Sequence, residues 1–163
     1  MADNLALPFV APVTDRVIMQ EATIFVDLPV DKTFSLFDPQ AEKKWVHGWD
    51  PKFISPVDGV ICEKMVFLTQ PRFEGEPAYQ WIVMKYDPFQ HVVVYCVSTQ
   101  ERIWFVEVGC ERRDGGCAAT VRYTYVALTD SGAVKNAKAL HQMFAHNLLD
   151  WQEAIEDYLG KNM

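Results

Sequence analysis

Two histidines near the C-terminus are the side chains best suited to acid–base or metal chemistry. His141 and His146 are five residues apart in a segment whose pattern predicts a helix, so they point about 140° apart in projection. A pair four residues apart could hold one metal ion, whereas this pair could not, and we predict no metal site. His141 adjoins the apolar residues Leu140 and Phe144 and could reach a pocket as a general base. A histidine at the boundary of the core is the simpler interpretation.

Aromatic side chains are the second group that could do chemistry. They make up 13% of the chain, with five Trp and six Tyr among them. A cavity lined by phenol and indole groups would suit a flat, partly polar ligand, because these groups pair an apolar body with a polar atom. The alternative is that the rings only fill the core. The predicted cavity-lining residues, with His141 and Phe144, are Trp45, Trp49, Trp81, Tyr95, Trp104, Tyr123 and Tyr125.

Other reactive side chains give no catalytic pattern. No serine lies in an elbow or triad-like context, so we predict no nucleophile, no catalytic residue set and no cofactor. Glu107 and Arg122 are expected on the outward faces of adjacent strands, which indicates a weak cross-strand ion pair. The four cysteines include no C-x-x-C pair and are expected to be reduced thiols in the core.

Charge and hydropathy exclude several classes of partner. The chain of 163 residues has 15 basic and 22 acidic side chains, a net charge of -7, and no long basic cluster. This balance argues against nucleic acid and anionic membranes as partners. The N-terminal sequence lacks the pattern of a signal peptide, and no apolar run of eighteen residues occurs, so we expect no membrane insertion and a cytoplasmic location.

The elements that would position these residues begin with a long amphipathic helix over residues 131–160. Its apolar stripe repeats at spacings of three and four, and it comprises Ala137, Leu140, Phe144, Leu148, Trp151, Ile155 and Tyr158. Such a stripe needs a large partner surface, and the upstream chain supplies a sheet. Residues 1–15 are expected to form a flexible arm, and residues 16–163 a single domain.

The segments of the expected sheet are separated by turn signals. A first strand over 16–27 precedes two short helices, one from Pro29 to Phe37 and one capped by Asp38 and ending near Trp45. Six further strands are predicted over 52–57, 60–69, 79–87, 90–99, 102–113 and 117–128, and the short connections make neighbours antiparallel. In the last strand, Tyr123 and Tyr125 should face the long helix. The inward face of 90–99 is left open, because both faces are apolar.

This order, together with several local phrases, resembles the SRPBCC superfamily over about residues 16–160. The phrases are Val26-Asp27-Leu28-Pro29-Val30-Asp31-Lys32-Thr33-Phe34, Trp45, Pro56-Val57-Asp58-Gly59, Tyr86-Asp87-Pro88 and Asp114-Gly115-Gly116-Cys117-Ala118-Ala119-Thr120-Val121. The superfamily includes START lipid-transfer domains, birch-pollen-allergen-like proteins, polyketide cyclases and heat-shock co-chaperone ATPase-activator-like domains. The resemblance implies an α+β helix-grip fold. In that fold a curved antiparallel sheet of about seven strands wraps a long C-terminal helix and leaves a pocket for an apolar ligand.

Three functions are compatible with this resemblance, because fold alone does not determine function. The first is binding of a small hydrophobic molecule, lipid-like or aromatic, between the sheet and the C-terminal helix. The second is a polyketide cyclase or dehydratase in which His141 and one or more of Tyr95, Tyr123 and Tyr125 act in the same pocket. The third is a protein-interaction module, co-chaperone-like or a homodimer, that uses an exposed face of the sheet.

Overall fold

The computed structural model describes residues 16–161, so the arm predicted over residues 1–15 lies outside the described part. Strand β1 (Val17–Val26) is followed by helix α1 (Val30–Ser35) and a 3-10 helix (Ala41–Lys44). The next strands are β2 (Lys52–Ser55), β3 (Val66–Thr69), β4 (Tyr79–Asp87), β5 (Val92–Ser98), β6 (Arg102–Arg113) and β7 (Gly116–Ala127). The helices α2 (Asp130–Met143) and α3 (Leu149–Lys161) complete the order.

The strands form one antiparallel sheet in the order β1-β7-β6-β5-β4-β3-β2. Consecutive strands from β2 to β7 are neighbours, as their short connections predict, while β1 pairs with β7 along its whole length. Both short helices follow β1, and α2 and α3 pack on β7 and β1. The predicted α+β helix-grip architecture with seven strands is therefore confirmed.

Alternation along the central strands places their aromatic residues on the inner face. In β6 and β7 every second residue from Trp104 to Cys110, and from Ala119 to Ala127, is buried, while Glu107 and Arg122 point outward. In β5 the buried set is Val93, Tyr95 and Val97, which settles the inward face that the sequence leaves open.

Two predicted strands are shorter in the structure. The segment predicted over 60–69 is a strand only over Val66–Thr69, because a turn precedes it in which Met65 N donates to Cys62 O at 3.2 Å and Lys64 has a φ of 69°. The segment 52–57 ends as a strand at Ser55, and the following Pro56 has no N–H to donate to a ladder.

The prediction of one continuous helix over residues 131–160 is wrong. Helix α2 ends at Met143, helix α3 begins at Leu149, and Asn147 and Leu148 between them have left-handed φ angles of 52° and 63°. Asparagine adopts this conformation more readily than most residues, so Asn147 is a suitable place for the interruption. The apolar stripe continues across it, because Phe144 and Leu148 are both buried.

The second short helix also differs from its prediction. Asp38 does not cap an α-helix; its Oδ1 accepts from Gln40 N at 2.7 Å and fixes the start of a short 3-10 helix. Thr129 caps helix α2, since its Oγ1 accepts from Gly132 N at 2.9 Å. None of the helices in residues 16–161 is long and apolar enough to span a membrane.

The outer edge of β1 is held by a side chain from α3. Phe25 N donates to Gln152 Oε1 at 3.0 Å, on the side of β1 that does not pair with β7. Without this bond the Phe25 amide would have no partner in the sheet. The bond therefore ties α3 to the edge of the sheet as well as to its inner face.

Candidate functional site

The structure brings most of the predicted cavity residues together on the inner face of the sheet and beneath α2 and α3. The side chains that are at most 8% exposed are Trp45, Tyr95, Trp104, Tyr123, Tyr125 and Phe144. Trp49 and Trp81 are half-buried and pack against the same core. Ring centroids lie 5–6 Å apart for the pairs Trp49–Trp81 at 5.4 Å, Trp81–Tyr95 at 5.6 Å and Trp104–Tyr125 at 5.6 Å.

Four of these residues use their polar atoms to hold the fold together. Trp45 Nε1 donates to Leu36 O and Trp49 Nε1 donates to Pro39 O, both at 2.8 Å, which ties these rings to the short helices. Trp81 Nε1 donates to Thr69 Oγ1 at 2.9 Å, and Tyr95 OH donates to Phe37 O at 2.7 Å. These groups are therefore satisfied within the protein and have no free hydrogen for a ligand.

Tyr123 and Tyr125 differ, because their hydroxyl groups have no partner within residues 16–161. In this part of the chain the side-chain atoms that are both fully buried and unpaired are Arg16 Nη1 and Asn136 Nδ2, so the two hydroxyls are not sealed from solvent. The tyrosines themselves are only 6% and 3% exposed. Each hydroxyl therefore keeps a small contact with water. We call the region beside these hydroxyls, bordered by Tyr123, Phe144 and Trp151, the recess.

Glu42 of the 3-10 helix supplies a carboxyl group close to this recess. Its charge contributes to raising the pKa of both Tyr95 and Tyr123, beside the larger effect of burial. Burial, and next the charge of Asp38, raise the pKa of Glu42 itself well above the usual value. The residue is nevertheless half-buried, and its carboxyl makes no hydrogen bond or ion pair with the residues that the structure describes.

Rings from the helices form the other wall of the recess. Tyr123 makes edge contacts with Phe144 at 5.9 Å and with Trp151 at 6.5 Å, and Trp151 in turn contacts Trp45 at 5.7 Å. The positive charge of Arg72, in the loop between β3 and β4, acts against the effect of burial on the pKa of Tyr123 and Tyr125. The recess is thus apolar, and the polar groups near it are the hydroxyls of Tyr123 and Tyr125 and the carboxyl of Glu42. Apolar walls with a few polar groups are the usual composition of a small-molecule site.

A buried ion pair closes the sheet at the ends of β4 and β6. Arg102 Nε and Nη2 donate to the two carboxylate oxygens of Glu76 at 3.0 Å each, and Nη2 also donates to Tyr79 OH at 2.9 Å. The guanidinium carbon lies 4.4 Å from the ring centroid of Trp104, and Nη1 donates to Asn136 Oδ1 at 3.4 Å. Arg102 thereby joins β6, the loop before β4 and helix α2.

His141 does not belong to this cluster. It lies on α2 with its side chain exposed, whereas the buried stripe of the C-terminal helices runs through Phe144 and Leu148. The adjacency of His141 to Leu140 suggested contact with the pocket, but the face that α2 turns to the sheet leaves this histidine in solvent. His141 is therefore not part of the candidate site.

The open cavities that the structure outlines lie elsewhere. A cleft of about 150 Å³ beside α1 is lined by residues that include Phe34, Asp38 and Tyr86, and a surface groove of about 510 Å³ runs along β2 and β3 past Lys52 and Leu68. Neither contains Tyr123, Tyr125 or Glu42.

The remaining predicted features are found at the surface or in the core. Arg122 lies 3.9 Å from Glu107 across adjacent strands, and 3.0 Å from Glu21 on β1, so the predicted outward ion pair is confirmed and extended. All four cysteines are free thiols, although Cys62 is exposed. Across residues 16–161, no three His, Cys, Asp or Glu side chains are grouped to hold a metal ion.

Sequence reasoning missed four residues that shape the site: Glu42, Arg72, Arg102 and Trp151. Trp151 was assigned to the helix stripe but not to the pocket, and its spacing of seven from Phe144 could have linked the two. Arg102 follows a turn at Gln100-Glu101 and looks like an ordinary strand end in the sequence. Nothing in the local sequence of Glu42 distinguishes it from a solvated helical glutamate.

Comparison with solved structures identifies the same fold in proteins of low sequence identity. Ara h 8.0201 is 14% identical, with 88% of this chain and 99% of that chain covered and a TM-score of 0.63. Norcoclaurine synthase from Thalictrum flavum, solved in complex with dopamine and hydroxybenzaldehyde, is 11% identical over 94% and 93% of the two chains, with a TM-score of 0.66. Major latex-like protein 151 from Panax ginseng is 13% identical over 87% and 97%, with a TM-score of 0.61.

Because these sequence identities are low, the comparison shows a shared fold and not a shared function. No protein-family model matches the sequence, and no curated protein matches it. The element order, the sheet topology and the similar structures agree with the resemblance drawn from the local phrases. The chain has the helix-grip fold that these structures share.

Proposed function

We propose that the protein binds a small hydrophobic molecule, aromatic or lipid-like, in the recess between the sheet and helices α2 and α3. The observation that carries this proposal is the pair of tyrosine hydroxyls, on Tyr123 and Tyr125, that have no partner among residues 16–161 and are not fully buried. The residues proposed to contact the ligand are Trp45, Tyr123, Tyr125, Phe144 and Trp151. Trp49, Trp81, Tyr95 and Trp104 surround them and support their positions.

A core that only stabilises the fold explains these unpaired hydroxyl groups less well than a binding site does. Buried polar atoms in such a core are paired, because an unpaired hydroxyl or carboxyl costs free energy. Here the hydroxyls of Tyr123 and Tyr125 have no partner among residues 16–161, and the Tyr123 ring contacts Phe144 and Trp151. A ligand that removed about 250 Å² of apolar surface from water would gain about 6 kcal/mol, from which the costs of association are subtracted.

The similar structures support the same class of ligand. Norcoclaurine synthase, which shares the fold, was solved with the small aromatic molecules dopamine and hydroxybenzaldehyde. We also place this binding in the cytoplasm as part of the proposal, since all four cysteines are free thiols.

Fluorescence titration with 6-propionyl-2-(dimethylamino)naphthalene, a neutral aromatic probe, tests the proposal on the purified, delipidated chain. Tyr123→Trp fills the recess and should weaken binding more than tenfold. Thr124→Val is the matched control, because Thr124 is the next residue of β7 and faces the opposite side of the sheet. Circular dichroism would verify that both variants are folded.

Two results would refute the proposal: binding that Tyr123→Trp leaves unchanged, or the absence of any binding. Native mass spectrometry of protein from its own source cells, followed by denaturing extraction, gives an independent check. An apolar adduct of the intact protein would support the proposal and reveal the class of the natural ligand.

The enzymatic alternative loses its assigned base. A polyketide cyclase that used His141 would need that side chain in the pocket, and it lies in solvent on α2. We therefore predict that His141→Ala leaves probe binding unchanged.

A second candidate function is self-association through the outer face of the sheet. The register aligns Val66, Ile82, Cys96 and Phe105 in one row across β3 to β6, and Ile82 is 40% exposed. A homodimer that covers this row is our proposal for the third function. Light scattering would reveal it, and Ile82→Lys should then produce monomer; a monomeric protein at high concentration would refute it.

A further inference from the structure

The cleft of about 150 Å³ beside helix α1 is lined by none of the residues that border the recess. Helix α1 and Asp38 just after it form one side of the cleft, and the hairpin that joins β4 to β5 forms the other. Asp87 fixes the turn of this hairpin, because its Oδ1 accepts from Phe89 N at 3.0 Å and from Gln90 N at 2.9 Å. His91 follows with a left-handed φ of 59° and lines the cleft. A space of this size holds a molecule about as large as benzene.

Three rings lie together in the lining of this cleft. Phe34 of α1 stacks on Tyr86 of β4, with ring centroids 5.9 Å apart and an angle of 17° between the ring planes. Phe34 also contacts His91 edge-on, at 5.7 Å between ring centroids. The faces of phenyl and phenol rings carry partial negative charge, so they attract a cation as well as apolar groups.

Two carboxyl groups, those of Asp31 and Asp38, line the same cleft. Within residues 16–161 neither carboxyl forms an ion pair, and that of Asp31 makes no hydrogen bond. Asp38 Oδ1 accepts from Gln40 N at 2.7 Å, but burial outweighs such bonds and raises the pKa of Asp38. Among the described residues, no lysine or arginine lines the cleft. Asp38 therefore lacks a positively charged partner that would offset its burial.

We propose that this cleft is a binding site for a small organic cation, an alkylammonium ion. The charged nitrogen lies near the carboxyl groups of Asp31 and Asp38, and the alkyl groups pack against Phe34 and Tyr86. Aromatic faces are a common means by which proteins bind quaternary ammonium groups, and carboxylates add to the attraction. This site is independent of the binding proposed for the recess.

Other classes of ligand fit the cleft less well. A protein site for a metal ion needs several ligands close together, and no three His, Cys, Asp or Glu side chains of residues 16–161 are grouped in that way. An anion would be repelled by Asp31 and Asp38. A neutral apolar molecule would use the rings but would leave the carboxyl groups without a partner. An organic cation uses both features of the lining.

Choline and 3,3-dimethylbutan-1-ol are a matched pair of probes, because a positively charged nitrogen in the first replaces a neutral carbon in the second. Each is titrated into the isotope-labelled full chain, and amide signals in ¹H–¹⁵N spectra report where it binds. Sodium chloride at equal concentration controls for ionic strength. We expect choline to shift the amide signals of cleft residues, such as Ser35 and His91, with a dissociation constant below about 10 mM. The neutral alcohol should bind at least about tenfold more weakly.

Four variants separate the contributions of the charge and the ring. Asp31→Asn should weaken choline binding about three- to tenfold, because it removes a charge but no contact within residues 16–161. Asp157→Asn makes the same change of charge on α3, where Asp157 is exposed and outside the cleft, and should have no effect. Tyr86→Leu, which removes an aromatic face, should weaken binding about threefold or more, whereas Tyr86→Phe should bind like the unmodified chain. Circular dichroism verifies that the variants are folded.

Equal binding of choline and 3,3-dimethylbutan-1-ol would overturn this inference, as would equal weakening by Asp31→Asn and Asp157→Asn. Choline that shifts no amide signal of the cleft would also overturn it. The naphthalene probe separates the two sites: choline should leave its titration unchanged, and Tyr123→Trp should leave choline binding unchanged. Competition between choline and the naphthalene probe would refute the assignment of the cation to this cleft.

Discussion

Substitution of Glu76 by glutamine should destabilise the protein far more than the same change at the surface. In the folded chain both side chains of the Glu76–Arg102 pair are 1% exposed, and two hydrogen bonds of 3.0 Å join them. Glutamine keeps the shape and one acceptor oxygen but removes the negative charge. It leaves a buried guanidinium whose partners are the one remaining oxygen at position 76, Tyr79 OH and Asn136 Oδ1, none of which carries a negative charge.

The magnitude follows from what is left unpaired. Removing one partner of a buried ion pair costs about 3–5 kcal/mol, because the other charge remains away from water. The contact of Arg102 with the ring of Trp104 at 4.4 Å persists and offsets a part of this cost. We therefore expect Glu76→Gln to lower the free energy of unfolding by about 3 kcal/mol.

Urea unfolding followed by circular dichroism at pH 7 measures this cost. The matched control is Glu21→Gln, because Glu21 makes the same type of bond to Arg122, also at 3.0 Å, with both side chains 45% exposed. An exposed pair contributes about 1 kcal/mol or less, so the control should be almost neutral. The difference between the two variants isolates the effect of burial.

The Glu76–Arg102 pair should also make the free energy of unfolding depend on pH in the acidic range. Burial opposes ionisation of Glu76, but the hydrogen bonds from Arg102 and Tyr79 outweigh it, and the pKa is lowered. A lowered pKa in the folded state means that the stabilisation is present at neutral pH and is lost as the pH falls through that pKa. Glu76→Gln should lack this part of the acid dependence. A cost below about 1 kcal/mol, equal to the control, would refute this account of the buried pair.

Three further changes test other features. Glu42→Gln should stabilise the protein at pH 8 but not at pH 4, because at pH 8 the folded state must take up a proton that the unfolded chain has lost. The increase in the free energy of unfolding should be about 1.4 kcal/mol for each unit by which the pKa of Glu42 is raised, and urea titrations at the two pH values check this. Gly132→Ala should cost about 1–3 kcal/mol in thermal unfolding, because a Cβ there would overlap the carbonyl oxygen of Glu101. Asn147→Ala should cost about 1 kcal/mol and Asn147→Gly almost nothing, since the φ of 52° suits glycine and asparagine; equal effects of the two would contradict the left-handed turn.

The architecture could be predicted from the sequence because it depends on periodicity. The alternation in β6 and β7 and the spacing of Phe144, Leu148 and Ile155 reflect burial over many residues, so single exceptions do not hide the pattern. The break at Asn147 escaped prediction for the opposite reason. A left-handed turn involves two residues, and here the apolar stripe passes through it without a change of phase.

The site was predicted only in part, since a pocket is made by residues that meet in space. The aromatic residues on the strands could be assigned to the inner face by alternation, and Tyr123 and Tyr125 lie where that reasoning placed them. Which of their hydroxyls stay unpaired depends on partners from distant segments, such as Phe37 O for Tyr95.

The bond between Gln152 and Phe25 bears on how the protein avoids aggregation. A terminal strand with unpaired amides is a template on which another chain can extend the sheet. Gln152 occupies one such amide of β1, so an incoming strand would have to displace α3 before it could pair there. Loss of α3, through truncation or local unfolding, would therefore uncover this strand and the apolar inner face together. Fibril formation of a chain that ends before Leu149 should be the measurable consequence.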